Sequence, residues 1–406
     1  MGQEAPAPSS TGEDDAQVDL EELFRASWTD LVRLATFLTG LVPTAEDLVQ
    51  DTFARFGARA DHLEDPMRCR RQSLRPLRLG GRRVEPPRHR GRGRHHRESG
   101  LLTRFRSGLG AASSIATLGA VELGRLGVWW SGSWRATSGA TLDVAAELED
   151  LGYTALWSSG RYDPGLSPHF ERLLAATNRV VVASGIVSIW RAAPRDVAEA
   201  VTGLDARYPG RFLLGLGASH AVLAEDYAHP YSHMVDYLDA LDSTEPTVPR
   251  DRRVIAALGP RMLALARDRT AGAHPYFVPV EHTARARDVL GKGVLLAPEV
   301  TVVLEKDPGT ARELARTFTT GYLALPNYAN NLRSLGFTDD DLAGSGSDRL
   351  VDAVVCWGSL DAVTASVRRH YEAGADHVCV QVVSASSRES FPLAEYRELA
   401  SALRTI

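Results

Sequence analysis

The sequence predicts an α/β protein: a (β/α)8 TIM-type barrel over residues 121–406, preceded by a small all-α helical hairpin and a disordered Arg-rich linker. Three observations carry this expectation. Short apolar runs bounded by Gly and Pro alternate with amphipathic stretches from Val121 onward. The runs are rich in Val, Leu and Ile on both parities, as strands buried on two faces require. About eight such units fill the roughly 286 residues that follow, the count and size of an eight-fold barrel.

In chain order, residues 1–19 form an acidic, Pro/Ser-rich tail without apolar periodicity, expected to be solvated and disordered. Residues 20–66 turn helical. Leu23, Phe24, Trp28, Leu31, Leu34, Ala35 and Leu38 recur at steps of three and four and stop at Gly40. In the second helix Thr44 stands as cap and Glu46 and Asp47 lie in the first turn, where the helix dipole favours anions. Leu48, Val49, Thr52, Phe53 and Phe56 make its inner face. Residues 67–120 form the linker. Its first part, from Met67 to Gly108, holds fourteen Arg, no Lys and two acids, so self-repulsion keeps it extended. It reads either as a nucleic-acid-binding arm, since Arg neutralises phosphates, or as the product of a shifted frame. The second option follows from 44 Arg against only Lys292 and Lys306 in the chain, the mark of a GC-rich coding sequence.

The barrel runs are LGVWW, YTALW, RVVVASGIVSIW, RFLLGLG, RVIAALG, HPYFV, EVTVVL and HVCVQVV, with helical stretches such as TLDVAAELEDLG and DAVTASVRRHYEAGA between them. An open doubly wound sheet is the alternative. It calls for a G-x-G-x-x-G turn, and GLGASH at Gly215–His220 lacks the third Gly. The chain has no stretch near 18 uninterrupted apolar residues and no secretory leader, so a cytoplasmic protein without membrane contact is expected. Cys69, Cys356 and Cys379 are too few and scattered for a disulfide framework or zinc site. His274, Glu281 and His282 lack metal-binding spacing and no G-x-S-x-G elbow is present, so neither metal nor serine-hydrolase chemistry is expected.

Five motifs, GYTALW (152–157), PGRFLLGLGASHA (209–221), AALGPRMLALA (256–266), LPNYANNLRSLGF (325–337) and GSDRLVDAVVCWG (346–358), together resemble the luciferase-like monooxygenase superfamily, and within it the branch of probable coenzyme F420-dependent oxidoreductases. The resemblance implies a barrel that holds the deazaflavin F420, or alternatively FMN, at the C-terminal ends of its strands and transfers hydride to or from a small organic substrate. With FMN, monooxygenation becomes open. A homodimer also stays open. Residues 20–66, above all AEDLVQDTFARF (45–56), resemble region 2 of an extracytoplasmic-function sigma-70 factor. That likeness implies contact of Asp47, Gln50, Asp51 and Phe53 with the RNA polymerase core. It breaks off near Cys69, without the promoter-melting helices. A transcription-associated protein binding polymerase or DNA through residues 20–110 is therefore the reading from another class.

Candidate site residues follow. Gly259, then Pro260 opening a helix, leaves the amides near Arg261 and Met262 free for an anion, and Arg261 adds a bidentate cation suited to the phosphate of a flavin-type tail. Gly215 and Gly217 allow a flat ring to approach the backbone, with Ser219 and His220 beside it. His220 can give or take a proton as hydride moves, although several relatives carry an acid at the matching place. The small residues Ala183, Ser184 and Gly185 interrupt the third strand and suggest a bulge. Since the family supports the central ring on such a bulge, Gly185 and Ile186 are its candidates here. Relatives also carry an acid and a His after the second strand, where this chain has Gly160 and Arg161. Ser158, Ser159 and Arg161 are thus candidate pocket residues, as are Trp129 and Trp130, whose faces can stack on a planar heterocycle. The loop at Gly344–Arg349 reads as the tether of a helix capped by Ser347 rather than a phosphate cradle.

Overall fold

In the computed structural model, the described residues are 121–130, 139–159, 166–219, 227–385, 387 and 390–404. The expectations for residues 1–120, and those for Arg161 and His220, lie outside them.

Every strand pairing in this region is parallel, which is what apolar runs joined by helices must give. Strand β1 (Leu126–Trp130) leads through α1 (Gly139–Asp150) to β2 (Ala155–Ser158) and through α2 (Leu166–Ala175) to β3 (Val181–Ser184). Next come β4 (Val187–Ser188), α3 (Pro194–Arg207), β5 (Phe212–Gly217), α4 (Pro230–Asp242), β6 (Arg253–Ile255) and α5 (Pro260–Arg269). They are followed by β7 (Gly272–Ala273), α6 (Val280–Leu290), β8 (Leu295–Leu296) and β9 (Glu299–Val303). A helical excursion then occupies the chain: α7 (Pro308–Leu323), α8 (Pro326–Ser334), α9 (Asp339–Leu342) and α10 (Asp348–Val354). The chain ends with β10 (Val355–Trp357), α11 (Leu360–Glu372), β11 (Val378–Val382) and α12 (Leu393–Leu403).

The pairing order β9-β11-β1-β2-β3-β5-β6-β7-β8 returns on itself, because β8 and β9 are one run interrupted only at Ala297–Pro298. Glu299 N donates to the Pro275 carbonyl at 2.9 Å across the same join. The sheet is therefore a curled parallel barrel of the TIM type. Alternation sorts the side chains into two cores. Val128, Trp130, Leu156, Val182, Leu214, Ile255, Val300 and Val380 pack outward under the helices. Trp129, Ala155, Trp157, Ala183, Leu213, Val254, Ala297 and Cys379 fill the inside, continuous with the apolar face of the excursion.

Two strands depart from the sequence reading. HPYFV was expected as a strand, yet β7 stops at Ala273, since Pro275 withholds a ladder donor and Phe277 has φ 56°. The edge of β9 thus left free is taken by β10, which was not among the runs read as strands and whose Val355–Trp357 pair with Thr301–Val303. The third strand breaks between β3 and β4 at Gly185–Ile186, where the peptide is cis. At the break the Ser184 hydroxyl replaces the ladder, accepting from Gly215 N at 2.7 Å and donating to Gly215 O at 2.9 Å.

Candidate active site

Four aromatic or imidazole rings fill the barrel axis, from His377 just before β11 to His274 just after β7. Gly127 on β1 has no side chain because the His377 ring stands there: a Cβ would come 2.6 Å from its Nε2. His377 Nδ1 donates to the Gly124 carbonyl at 2.9 Å, which leaves Nε2 to accept from Trp157 Nε1 at 3.2 Å. Trp157 stacks on His274, with centroids 4.1 Å apart and planes 15° from parallel. His274 Nδ1 in turn donates to Ala297 O at 2.7 Å. Burial holds both imidazoles down at about 4, so they are neutral at pH 7.

Two polar atoms in this stack have no partner: Trp129 Nε1 and His274 Nε2. Both face Gly185, where a side-chain carbon would stand 2.9 Å from the indole nitrogen and 3.5 Å from the imidazole nitrogen. Trp129 also leans on Tyr276 at 5.0 Å between centroids. The Tyr276 hydroxyl donates to Gln381 Oε1 at 2.7 Å and lies 2.8 Å from the hydroxyl of Tyr322 on α7. Phe277, Phe318 and Tyr328 complete this aromatic group and bring the excursion onto the barrel interior. Beneath it Glu299 is fully buried, accepting from Phe277 N at 3.2 Å and Thr301 Oγ1 at 2.6 Å. Desolvation outweighs these bonds and raises its carboxyl to about 7.

The predicted residues fall into distinct places. Gly185 and Ile186 lie at the strand break, half-buried. Gly217 ends β5 beside them, but the close approach that Gly allows there is made by the protein itself. A Cβ on Gly217 would meet the Ile186 side chain at 2.6 Å, and one on Gly215 would meet Ser184 O at 1.9 Å. The expectation that these two glycines leave their faces to a flat ring is thus corrected: Ile186 covers Gly217. Ser219 follows with φ 56°.

Gly259, Pro260 and Arg261 are exposed and Met262 half-buried at the start of α5, on the strand next to β5. No side chain caps this helix, so its first amides stay free. The Arg261 guanidinium lies 4.0 Å from the centroid of the Tyr231 ring. Trp129 faces the interior, whereas Trp130 belongs to the outer core and packs on Phe391 at 4.6 Å. Ser158 lies 3.0 Å from His169 Nε2 on α2, and Ser159 is half-buried at the end of β2. Ser347 caps α10 by accepting from Leu350 N.

Sequence reading passed over Trp157, His274, Tyr276, Glu299, His377 and Gln381 as site residues. The signal was parity: polar residues at inward positions of apolar runs, in EVTVVL and HVCVQVV, stand out once the strand phase is known. Among the described residues no group of His, Cys, Asp and Glu could hold a metal ion, and no helix is long and apolar enough to cross a membrane.

The family model for the luciferase-like monooxygenase matches residues 127–377. Solved structures share the fold at low identity. An F420-dependent secondary alcohol dehydrogenase in complex with an F420-acetone adduct aligns with TM-score 0.54 and 16% identity, over 69% of this chain and 99% of its own. The coenzyme F420-dependent tetrahydromethanopterin reductase from Methanopyrus kandleri gives 0.50 and 14%, over 69% and 98%. The oxygenating constituent of 3,6-diketocamphane monooxygenase from Pseudomonas putida, in complex with FMN, gives 0.48 and 15%, over 68% and 97%. No curated protein matches. With the family model covering more than half of its length, this chain belongs to the luciferase-like monooxygenase family.

Proposed function

We propose that this oxidoreductase binds coenzyme F420 at the C-terminal mouth of its barrel and moves hydride between it and a small organic substrate. The observation that carries the reading is the convergence, on one end of neighbouring strands, of the Gly185–Ile186 break and the uncapped α5 start with Arg261. An apolar support beside an anion site is what a planar coenzyme with a phosphorylated tail needs. The residues present therefore fit such a group.

When bound, a deazaflavin supplies hydride chemistry at carbon without activating oxygen. This chain's residues do the rest. Ile186, with Gly185 and Gly217 behind it, offers the surface against which a ring rests. Arg261 and the amides of Arg261 and Met262 hold the tail anion, with Tyr231 keeping the guanidinium in place. Trp129 and the Tyr276 group exclude water from one side. His220, next to Ser219, is the candidate to hold or release a proton at its imidazole. Titrating the purified chain with F420 and with FMN, following coenzyme fluorescence, tests the proposal. Saturable binding of F420 alone is the expected result. Preference for FMN transfers the reading to a flavin enzyme, and binding of neither overturns it.

A further inference from the structure

Gln381 is a polar residue in the middle of an apolar strand. It sits on β11 between Cys379 and Val383, which face the interior, and beside Thr301 of β9 in the register. Strand alternation therefore aims its side chain into the barrel, near the C-terminal end of β11. Its carbonyl is engaged, since the Tyr276 hydroxyl donates to Oε1 at 2.7 Å. That uses the one hydrogen of Tyr276, so the Tyr322 hydroxyl, 2.8 Å away, donates to the Tyr276 oxygen. The relay from α7 fixes the amide plane and turns the NH2 group away from the tyrosines. This group makes no hydrogen bond among the described residues. Nor is it sealed: the unpartnered side-chain atoms that the fold closes off are Trp129 Nε1, His274 Nε2, His282 Nδ1 and Asn331 Nδ2. Gln381 Nε2 thus borders open space, although the residue as a whole is only 6% exposed.

A buried amide held in this way lacks only an acceptor. The inward residues at its level, Thr301, Trp129, Trp157, Ala183 and Leu213, carry no charge, so nothing there offsets the desolvation of an anion. An alcohol oxygen could accept, but its hydrogen would find Gln381 Oε1 and the Tyr276 oxygen already engaged. A carbonyl needs only what Nε2 offers. We infer that Gln381 is a specificity residue whose amide N–H holds the carbonyl oxygen of a neutral, largely apolar substrate, with Tyr276 and Tyr322 as positioning residues. This names the substrate class of the oxidoreductase site and rests on that reading of the barrel mouth. Burial raises both phenols, so the relay keeps its hydrogens across physiological pH.

The test uses the full chain, with and without F420, and cyclohexanone labelled with ¹³C at its carbonyl; cyclohexanol, of equal size, is the comparison. Difference infrared spectra should show the carbonyl stretch of the bound ketone lowered from its position in an apolar solvent, the signature of an accepted hydrogen bond. Gln381→Met keeps the length of the side chain without the donor. It should return the band to the apolar position and weaken ketone binding about tenfold, the loss of one neutral hydrogen bond. Tyr276→Phe keeps the ring but releases the amide, so the band should move back in part, which a merely structural role would not produce. Cyclohexanol should bind more weakly than the ketone. Where a variant fails to fold, ¹⁵N-labelled Gln in the wild type decides: one side-chain NH2 pair should shift with the ketone. The inference is overturned by no ketone binding in either state, by an unshifted carbonyl band, by the same lowered band in Gln381→Met, or by alcohol binding as tight as the ketone's. A ketone response in a chain that binds neither F420 nor FMN would keep the subsite and remove the hydride-transfer reading. F420 binding without a ketone response would do the reverse.

Discussion

Replacing Glu299 by Gln reports directly on how dry the barrel interior is. Glu299 is 1% exposed, and burial lifts its carboxyl from the ordinary 4.5 to about 7. Between those values the folded chain holds a proton that the unfolded chain has released. Stability from this group is therefore fully present below 4.5 and is lost as pH rises through 7, by roughly 3 kcal/mol in total at 1.36 kcal/mol per pH unit. Gln keeps one oxygen to accept from the Phe277 amide, its amide nitrogen donates to the Thr301 hydroxyl, which turns to accept, and it cannot ionise. Urea unfolding followed by Trp fluorescence should then show E299Q gaining on the wild type by roughly 3 kcal/mol between pH 4.5 and pH 8. Half-buried His169 and buried His274, His282, His370 and His377, lowered by desolvation to about 3 or 4, give the opposite slope as pH falls below 6.5. They are common to both proteins and cancel in the difference. A difference constant within about 0.5 kcal/mol over that range would refute the argument, because the carboxylate would then be solvated in the folded chain.

Three further outcomes are expected. Asp205 pairs with Arg252, itself 1% exposed, and also accepts from Gly210 N at 3.1 Å; Asp205→Ala should cost about 3–5 kcal/mol in urea unfolding by taking the carboxylate from a buried cation. Ser347→Ala removes the α10 cap and should cost about 1 kcal/mol, read as a lower urea midpoint at unchanged slope. Arg261→Ala leaves an exposed site and should change stability by no more than about 0.5 kcal/mol while weakening coenzyme binding about tenfold or more, measured by fluorescence titration.

The barrel was legible because its strands are apolar on both parities and its helices end in Gly, and GPRML announced the start of α5 by its Pro. Ser347 as a cap and Gly185–Ile186 as a break were legible for the same reason: each needs a particular residue type at one place. What local text cannot give is partnership. Nothing around HPYFV says that Pro275 and Phe277 end the strand early, or that VCW, nearly eighty residues later, occupies the edge left open. The His274, Trp157 and His377 stack joins three strands distant in sequence. GLGAS looked like a bare platform because the sequence does not show that Ile186 and Ser184 fill it.

The run β8–β9 grips the barrel by its first half and by one edge of its second, while the other edge carries β10. The helices between β9 and β10 are thus spliced in at a seam, with entry and exit side by side on a strand the barrel already needs. Such a graft can lengthen, shorten or be exchanged while the ring of strands keeps its register, so new ligand preferences can arise through α7–α10 at little cost to folding. Tyr322 and Tyr328 are where that exchange would first be felt inside the barrel, through Tyr276.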